Sequence, residues 1–394
     1  MSLSKSRIVS VSVSSFVSVA LAGLLWPGAA RAHESIEHLL FVPDRALAQV
    51  TVIDTQDDAV IAQIPVGKTP HQVSVSVPLG KLVVSNTADD TISIVDLESF
   101  ETRATLRLGS APEHMEISPD GRLLAVGNIE GGTVSLVDLA GEREIARIPG
   151  LFEPHNLTFS RDGSRLYVAN LGAGHVSVID VARAEIVAEI PVAEPKLIAV
   201  KATDPSADYQ GIINVTASAD GRFGFAAHGE AGALAVIDLD RGEKVTTLKL
   251  GDRSWRAYGT AHGRYMIVPN NGDATISIVS TKTLEVVATL PGAVGVTGVN
   301  TDPSGKTAFV ISHAEEKVVL LDLESLSPAG EIALPGKPET GVISPHGKKL
   351  YVALSGTGKV AVIDVPGRKL IGMIDGVGAE PWGTTMAGAD NYCH

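Results

Sequence analysis

Short runs of alternating apolar and polar residues recur along this chain and end on the same residue type. The segments VTVID, ISIVD, VSLVD, VSVID, LAVID, ISIVS, VLLLD and VAVID close at Asp54, Asp96, Asp138, Asp180, Asp238, Ser280, Asp322 and Asp364. The steps between them are 42, 42, 42, 58, 42, 42 and 42 residues. A second series keeps the same time: Asp44, Asn86, Asn128, Asn170, His228, Asn270, Ser312 and Leu354 each end a run such as LVVSN or LYVAN. Turn glycines form a third series at Gly121, Gly163, Gly221, Gly305 and Gly347. Asp-Gly and Ser-Gly between alternating segments signal hairpins, because glycine reaches positive φ without a Cβ clash. A fixed period of this length means a closed or stacked array of one supersecondary unit.

Residues 112 to 150 show what one unit builds. HMEIS reads as strand A, LLAVGN as strand B, TVSLVDL as strand C and EIARIPG as strand D, joined by turns at DG, IEGG and AGERE. Four antiparallel strands in about 42 residues match a propeller blade. The residues are dominated by Val, Ile and Leu with period two, and no 3.6-residue period is sustained after residue 35. The aspartate closing strand C has a local task, accepting backbone N–H bonds in the next turn. The ends do not match: the array opens on a B-like strand, HLLFVPD, and finishes on an A-like one, EPWGTTMAG. The predicted fold is therefore all-β, a single propeller of eight four-stranded blades, one of them assembled from the N- and C-terminal strands. A closed ring has no open sheet edge. Seven blades is the alternative, should one unit fail to form; INVTASA in blade 4 reads as the weakest strand A.

Composition then narrows the setting. Lys5 and Arg7 precede an apolar, Ser-rich stretch and PGAARA, a secretory signal peptide pattern over residues 1–32 with cleavage expected between Ala32 and His33. Residues 33–394 then form the exported propeller, periplasmic or secreted, with no integral membrane span after signal removal. One cysteine excludes an internal disulfide. A net charge of −13 without a basic cluster argues against a nucleic-acid partner. The expected partner is a small ligand or a periplasmic protein.

LYVAN followed by HVSVIDV, GVISPHGKKLYVAL and SPDGRLLAVGN resemble the YVTN-type β-propeller repeat. The resemblance covers nearly all of residues 33–394 and implies a surface or periplasmic binding propeller. Propellers related to that family include lactonases, the d-type-haem domain of nitrite reductases and the copper-site domain of nitrous oxide reductases, so the fold alone does not choose a function. The absence of CxxCH leaves covalent c-type haem attachment unsupported.

Candidate chemistry gathers where the chain enters strand A. These segments read TPHQ, APEH, EPHN, GIIN, SWRA, VTGV, PETG and EPWG. They place His71, His114 and His155 on three consecutive blades, with Glu113, Glu153, Trp255, Arg256, Glu339 and Trp382 at or beside equivalent positions. His228 replaces the repeat asparagine on the same face. Three converging imidazoles suit a transition metal or an axial haem position, or bound a polar funnel. His114 is offset by one residue from the other two, which would aim it elsewhere. A 16-residue insertion between blades 3 and 4 is a candidate lid. His175, His262, His313 and His346 are expected at the surface.

Ring closure suggests a second constellation on the opposite face. His33, His38, Cys393 and His394 come from the two chain ends, and mixed Cys/His donors suit copper or zinc. No catalytic triad or phosphate loop is present. The favoured reading is an exported binding or scaffold propeller with a ligand funnel lined by His and Glu. The alternatives are a metal- or haem-dependent redox or cofactor-handling protein, and a lactonase-like hydrolase.

Overall fold

The computed structural model describes residues 36–171, 173–192 and 211–389. They form eight four-stranded antiparallel sheets, each in the order A-B-C-D, which settles the blade count at eight rather than seven. In blade 8, strand A is Thr385–Met386 and strands B, C and D are Leu39–Asp44, Gln49–Asp54 and Ala59–Pro65. The ring is thus closed by the two ends of the chain, with Leu40 opposite Met386 and Phe41 opposite Thr385. Among the described residues no helix is long and apolar enough to cross a membrane.

Asp44 fastens the closure. It is fully buried, and its carboxylate accepts N–H bonds from Leu47 at 2.9 Å, Glu380 at 3.2 Å and Ala379. Thr51 Oγ1 adds a bond to the Val377 carbonyl at 2.5 Å.

Each repeat residue has an identifiable task. Asp96 Oδ1 accepts the N–H groups of Glu98 and Ser99 at 3.1 and 2.9 Å, and the Ser99 bond leads in holding its carboxyl below the usual range. Ser280 does the same work with a hydroxyl, accepting Thr283 N–H at 3.1 Å. Asn86 ties three segments together: its Oδ1 accepts Gly67 N–H, and its Nδ2 donates to Thr91 and Ser93.

The core lies between blades. Alternate residues of strands B and C bury against the neighbouring sheet, as where Tyr167, Val176 and Val178 of blade 3 meet Val215, Ala226 and Ile237 of blade 4. Each such aliphatic side chain contributes about 1.5–3 kcal/mol through burial. Strand D carries a β-bulge at the same place in all eight blades, at Arg103, Ile145 and Val187 for example. A bulge twists the outermost strand away from partners and so protects an otherwise exposed edge.

The expectation of a weak strand A in blade 4 does not hold: Ile212–Ala217 is a full six-residue strand, bulged between Ile212 and Val215. The short ones are Tyr258–Gly259 in blade 5 and Thr385–Met386 in blade 8. Both face a strand B with proline next to its last residue, Pro269 and Pro43. A proline there offers strand A no N–H, so the ladder is interrupted. One bond on each side survives, from Trp255 N–H to the Pro269 carbonyl and from Trp382 N–H to the Pro43 carbonyl.

Candidate functional site

The first turn of strand A is irregular, and that irregularity builds the site. Blade 1 strand A is Pro70–Ser76, blade 2 is Pro112–Ile117 and blade 3 is Pro154–Phe159. In blade 2, Pro112 pairs with Asn128 and Met115 with Val126, so Glu113 and His114 together oppose the single residue Gly127. His71 and Gln72 in blade 1, and His155 and Asn156 in blade 3, bulge in the same way. A bulge re-aims side chains, and here it turns the residues of three blades toward one another.

The result is a pair of imidazoles at one carboxylate, with a third imidazole against the second of them. His71 Nε2 lies 3.2 Å from Glu113 Oε1, and His114 Nε2 lies 3.9 Å from the same oxygen. His114 Nε2 is also 3.0 Å from His155 Nε2. The one-residue offset therefore does not take His114 out of the group. The donor atoms of His71, Glu113 and His114 all fall within 4.8 Å of one another. His71 and His114 are nearly inaccessible, at 5% and 1%, whereas Glu113 keeps 21% of its side chain exposed, so the cluster opens on one side.

Neighbouring backbone sets the orientation of these groups. His155 Nδ1 is 2.8 Å from the Ile213 carbonyl. A carbonyl accepts only, so Nδ1 carries the proton and Nε2 presents its lone pair to His114. Burial pushes His155 down to about 4, with the positive charge of Arg256 adding to the effect. The Gln72 side chain clamps Met115 at both ends, donating to its carbonyl at 2.7 Å and accepting its N–H at 2.8 Å. Ser85 Oγ donates to the Glu113 carbonyl at 2.8 Å.

One turn further along strand A stands Glu116. At the equivalent position Thr158, Thr216, Asn300 and Thr385 each donate to a carbonyl of the next blade. A carboxyl can donate only when protonated. Burial pushes Glu116 up to about 7, and Arg256 opposes the rise.

The remaining sequence candidates are distributed around the ring. Trp382 packs 6.0 Å from the His71 ring and carries the Arg45 guanidinium 4.1 Å over its own. Trp255 and Arg256 are buried, at 9% and 5% exposure, and the guanidinium lies 5.8 Å from the Tyr258 ring. Glu339 is buried across the ring with His313, whose Nδ1 is 3.2 Å from Oε1, and accepts Ser355 Oγ–H at 2.5 Å. His228 holds its own corner, its Nδ1 accepting Ala231 N–H at 3.3 Å. His38 closes a short 3-10 turn with its ring 5.8 Å from His346. His33, Cys393, His394 and all but Gly211 and Ile212 of the 16-residue insertion at 197–212 lie outside the described residues.

Sequence reading alone did not give Gln72, Glu116 or the Glu339–His313 pairing particular weight. The signal that finds them is the position count from the proline opening strand A, once the bulge is known. A cavity of about 250 Å³ bounded by Ala261, Thr301, Ser344 and Ala389 lies elsewhere and has no titratable lining residue.

Fold and rim define a closed eight-bladed propeller with a polar, histidine-bearing inner edge. The chain belongs to the YNCE-like beta-propeller family, whose sequence pattern it matches over residues 73–389, a family related to the YVTN-type repeats. No curated protein matches it significantly. Among solved structures it is similar to the dihydro-heme d1 dehydrogenase NirN in complex with DHE, at TM-score 0.72 and 19% identity over 90% of this chain and 76% of that one. It is also similar to apo AztD from Citrobacter koseri, at TM-score 0.65 and 16% identity over 90% and 98% of the two chains. Kuenenia stuttgartiensis hydrazine synthase gives TM-score 0.56 and 23% identity over 75% and 95%. These likenesses establish the fold.

Proposed function

We propose that the protein is an exported binding propeller whose channel mouth holds a first-row transition-metal ion. The observation that carries this reading is the convergence of His71 and His114 on the Glu113 carboxylate, their donor atoms all within 4.8 Å of one another, with His155 Nε2 3.0 Å behind His114 Nε2. Neutral imidazole nitrogens with one carboxylate suit zinc, copper or cobalt. The Ile213 carbonyl behind His155 is the kind of outer partner that fixes a ligand's tautomer. Export rests on the signal peptide pattern of residues 1–32.

A second reading, a haem held by one of these imidazoles, draws on the likeness to NirN, a protein described in complex with DHE. The two separate in one experiment. Protein purified from a bacterial periplasm is analysed for metals and by visible absorption. Roughly one equivalent of metal, lost in His71→Ala and His155→Ala, supports the metal reading, since the ligands must act together. An intense visible band with iron supports haem. Absence of both metal and band, after incubation with zinc, copper and cobalt, rejects the proposal.

A further inference from the structure

The end of the channel opposite the imidazoles holds a cavity that the repeat does not foretell. It lies where the strands A of blades 6 and 7, Val296–Thr301 and Pro338–Ile343, run out between the shortened ones of blades 5 and 8. Gly259 of blade 5 stands at the repeat position filled by Ile117, Phe159 and Ile343 in blades 2, 3 and 7. Gly388 lines the blade 8 side, where a Cβ on it would meet nothing within 4 Å. Missing side chains on the two flanking blades thus open the space. At about 250 Å³ it is many times the roughly 30 Å³ that one water takes up in the liquid.

Two neutral polar side chains at this cavity are short of partners. In the A–B turns of blades 2, 3 and 4, Ser118, Ser160 and Ser218 each accept a backbone N–H and donate to an aspartate two residues on, Asp120, Asp162 and Asp220. Ser344 holds the same place in blade 7 and accepts Lys349 N–H at 3.3 Å. Its aspartate, however, is replaced by His346, whose ring lies 5.8 Å from that of His38. Among the described residues the Ser344 hydroxyl hydrogen therefore meets no acceptor. Asn300 is only 5% exposed. Its Nδ2 donates to the Gly341 carbonyl at 3.0 Å, the task of a threonine hydroxyl in blades 3 and 4. Asparagine adds an acceptor to that task, and Oδ1 has no donor among the described residues. A buried acceptor left in this condition costs free energy.

A spare donor and a spare acceptor, with no charged group beside them, call for a ligand group that both accepts and donates. A hydroxyl is such a group. Pro303, Ile343 and Pro345 give the same cavity apolar walls, against which C–H faces can lie. A concave apolar surface with a few placed polar groups fits a small molecule. We propose that this end of the channel binds one uncharged sugar or cyclic polyol, Ser344 donating to it and Asn300 Oδ1 accepting from it. The site is separate from the imidazole cluster and needs no metal there.

Saturation-transfer NMR on the full-length protein reads weak binding directly. Glucose, galactose and myo-inositol are the probes, with glucuronate as the charged control. At least one neutral ring should bind saturably, with a dissociation constant of about 1 mM, and glucuronate should not. His346→Asp returns to Ser344 the carboxylate that blades 2 to 4 carry. The turn is then kept or strengthened, while the hydroxyl is drawn out of the cavity. We expect this variant to weaken binding about 3–10-fold, the worth of one hydrogen bond. Ala261→Leu fills the cavity and should abolish the signal. If that variant does not fold, Ala389→Leu on the facing wall carries the test. No saturable binding of any neutral ring up to about 50 mM overturns the inference. So does equal binding of glucuronate, or an affinity left unchanged by His346→Asp or by the cavity-filling variant.

Discussion

Gly127, in strand B of blade 2, leaves the space that His155 of blade 3 needs. A Cβ on Gly127 would fall 2.6 Å from the Pro154 carbonyl oxygen and 3.1 Å from that of His155. Both are backbone atoms, which cannot turn aside. Gly127→Ala should therefore shift the bulge that presents His155. We expect a loss of about 1–3 kcal/mol in denaturant unfolding, the usual cost of overpacking. Metal affinity should fall with it; unchanged stability and affinity would show that the blades separate freely.

Glu116 and His155 make stability depend on pH in opposite senses. His155 sits at about 4, below its unfolded value near 6.5. The unfolded chain takes up that proton first, so its contribution is lost as pH falls from 6.5 toward 4. Glu116 sits at about 7, above its usual 4.5. Here the folded chain holds the extra proton, and stability is lost as pH rises from 4.5 through 7. The shift corresponds to at most about 3 kcal/mol, reduced by the water that reaches the half-buried side chain. Glu116→Gln supplies a permanent donor and should stabilise the protein by about 1–3 kcal/mol at pH 8, with the gain shrinking toward pH 4.5. Urea unfolding of both proteins across this range measures it; a pH-independent difference would remove Glu116 from the account.

Asp44→Ala should open the ring at its seam. The substitution strips an acceptor from three N–H groups, those of Leu47, Ala379 and Glu380. Leaving such groups buried and unsatisfied costs about 1–3 kcal/mol each. The expected outcome is a lower unfolding midpoint and faster proteolysis of the C-terminal segment. Asp44→Asn keeps an acceptor and restores the repeat residue, so it should lose markedly less.

Ser280→Asp tests whether the repeated aspartate is only a turn device. Asp96, Asp138 and Asp322 each accept two N–H groups in that turn. Ser280 Oγ accepts the one from Thr283. Restoring the carboxylate should raise stability by about 0.5–1 kcal/mol, a typical net hydrogen bond. Metal binding should not change, and a loss there would assign the position another role.

The chain's periodic pattern determined the blade and the closure by its two ends, and pointed to eight blades with seven left open until the eight sheets settled the count. Strand alternation, turn glycines and the aspartate series act within one unit, so they can be read along the sequence. Only the tertiary structure decided which side chains meet. The one-residue offset of His114 pointed away from the other histidines, yet the double bulge carries it to His155 Nε2 at 3.0 Å. The short inner strands of blades 5 and 8 were likewise set by Pro269 and Pro43 on the facing strand. Such outcomes depend on how closely one blade's backbone approaches the next, and that distance is fixed by packing across the ring, between residues roughly 42 positions apart in the chain.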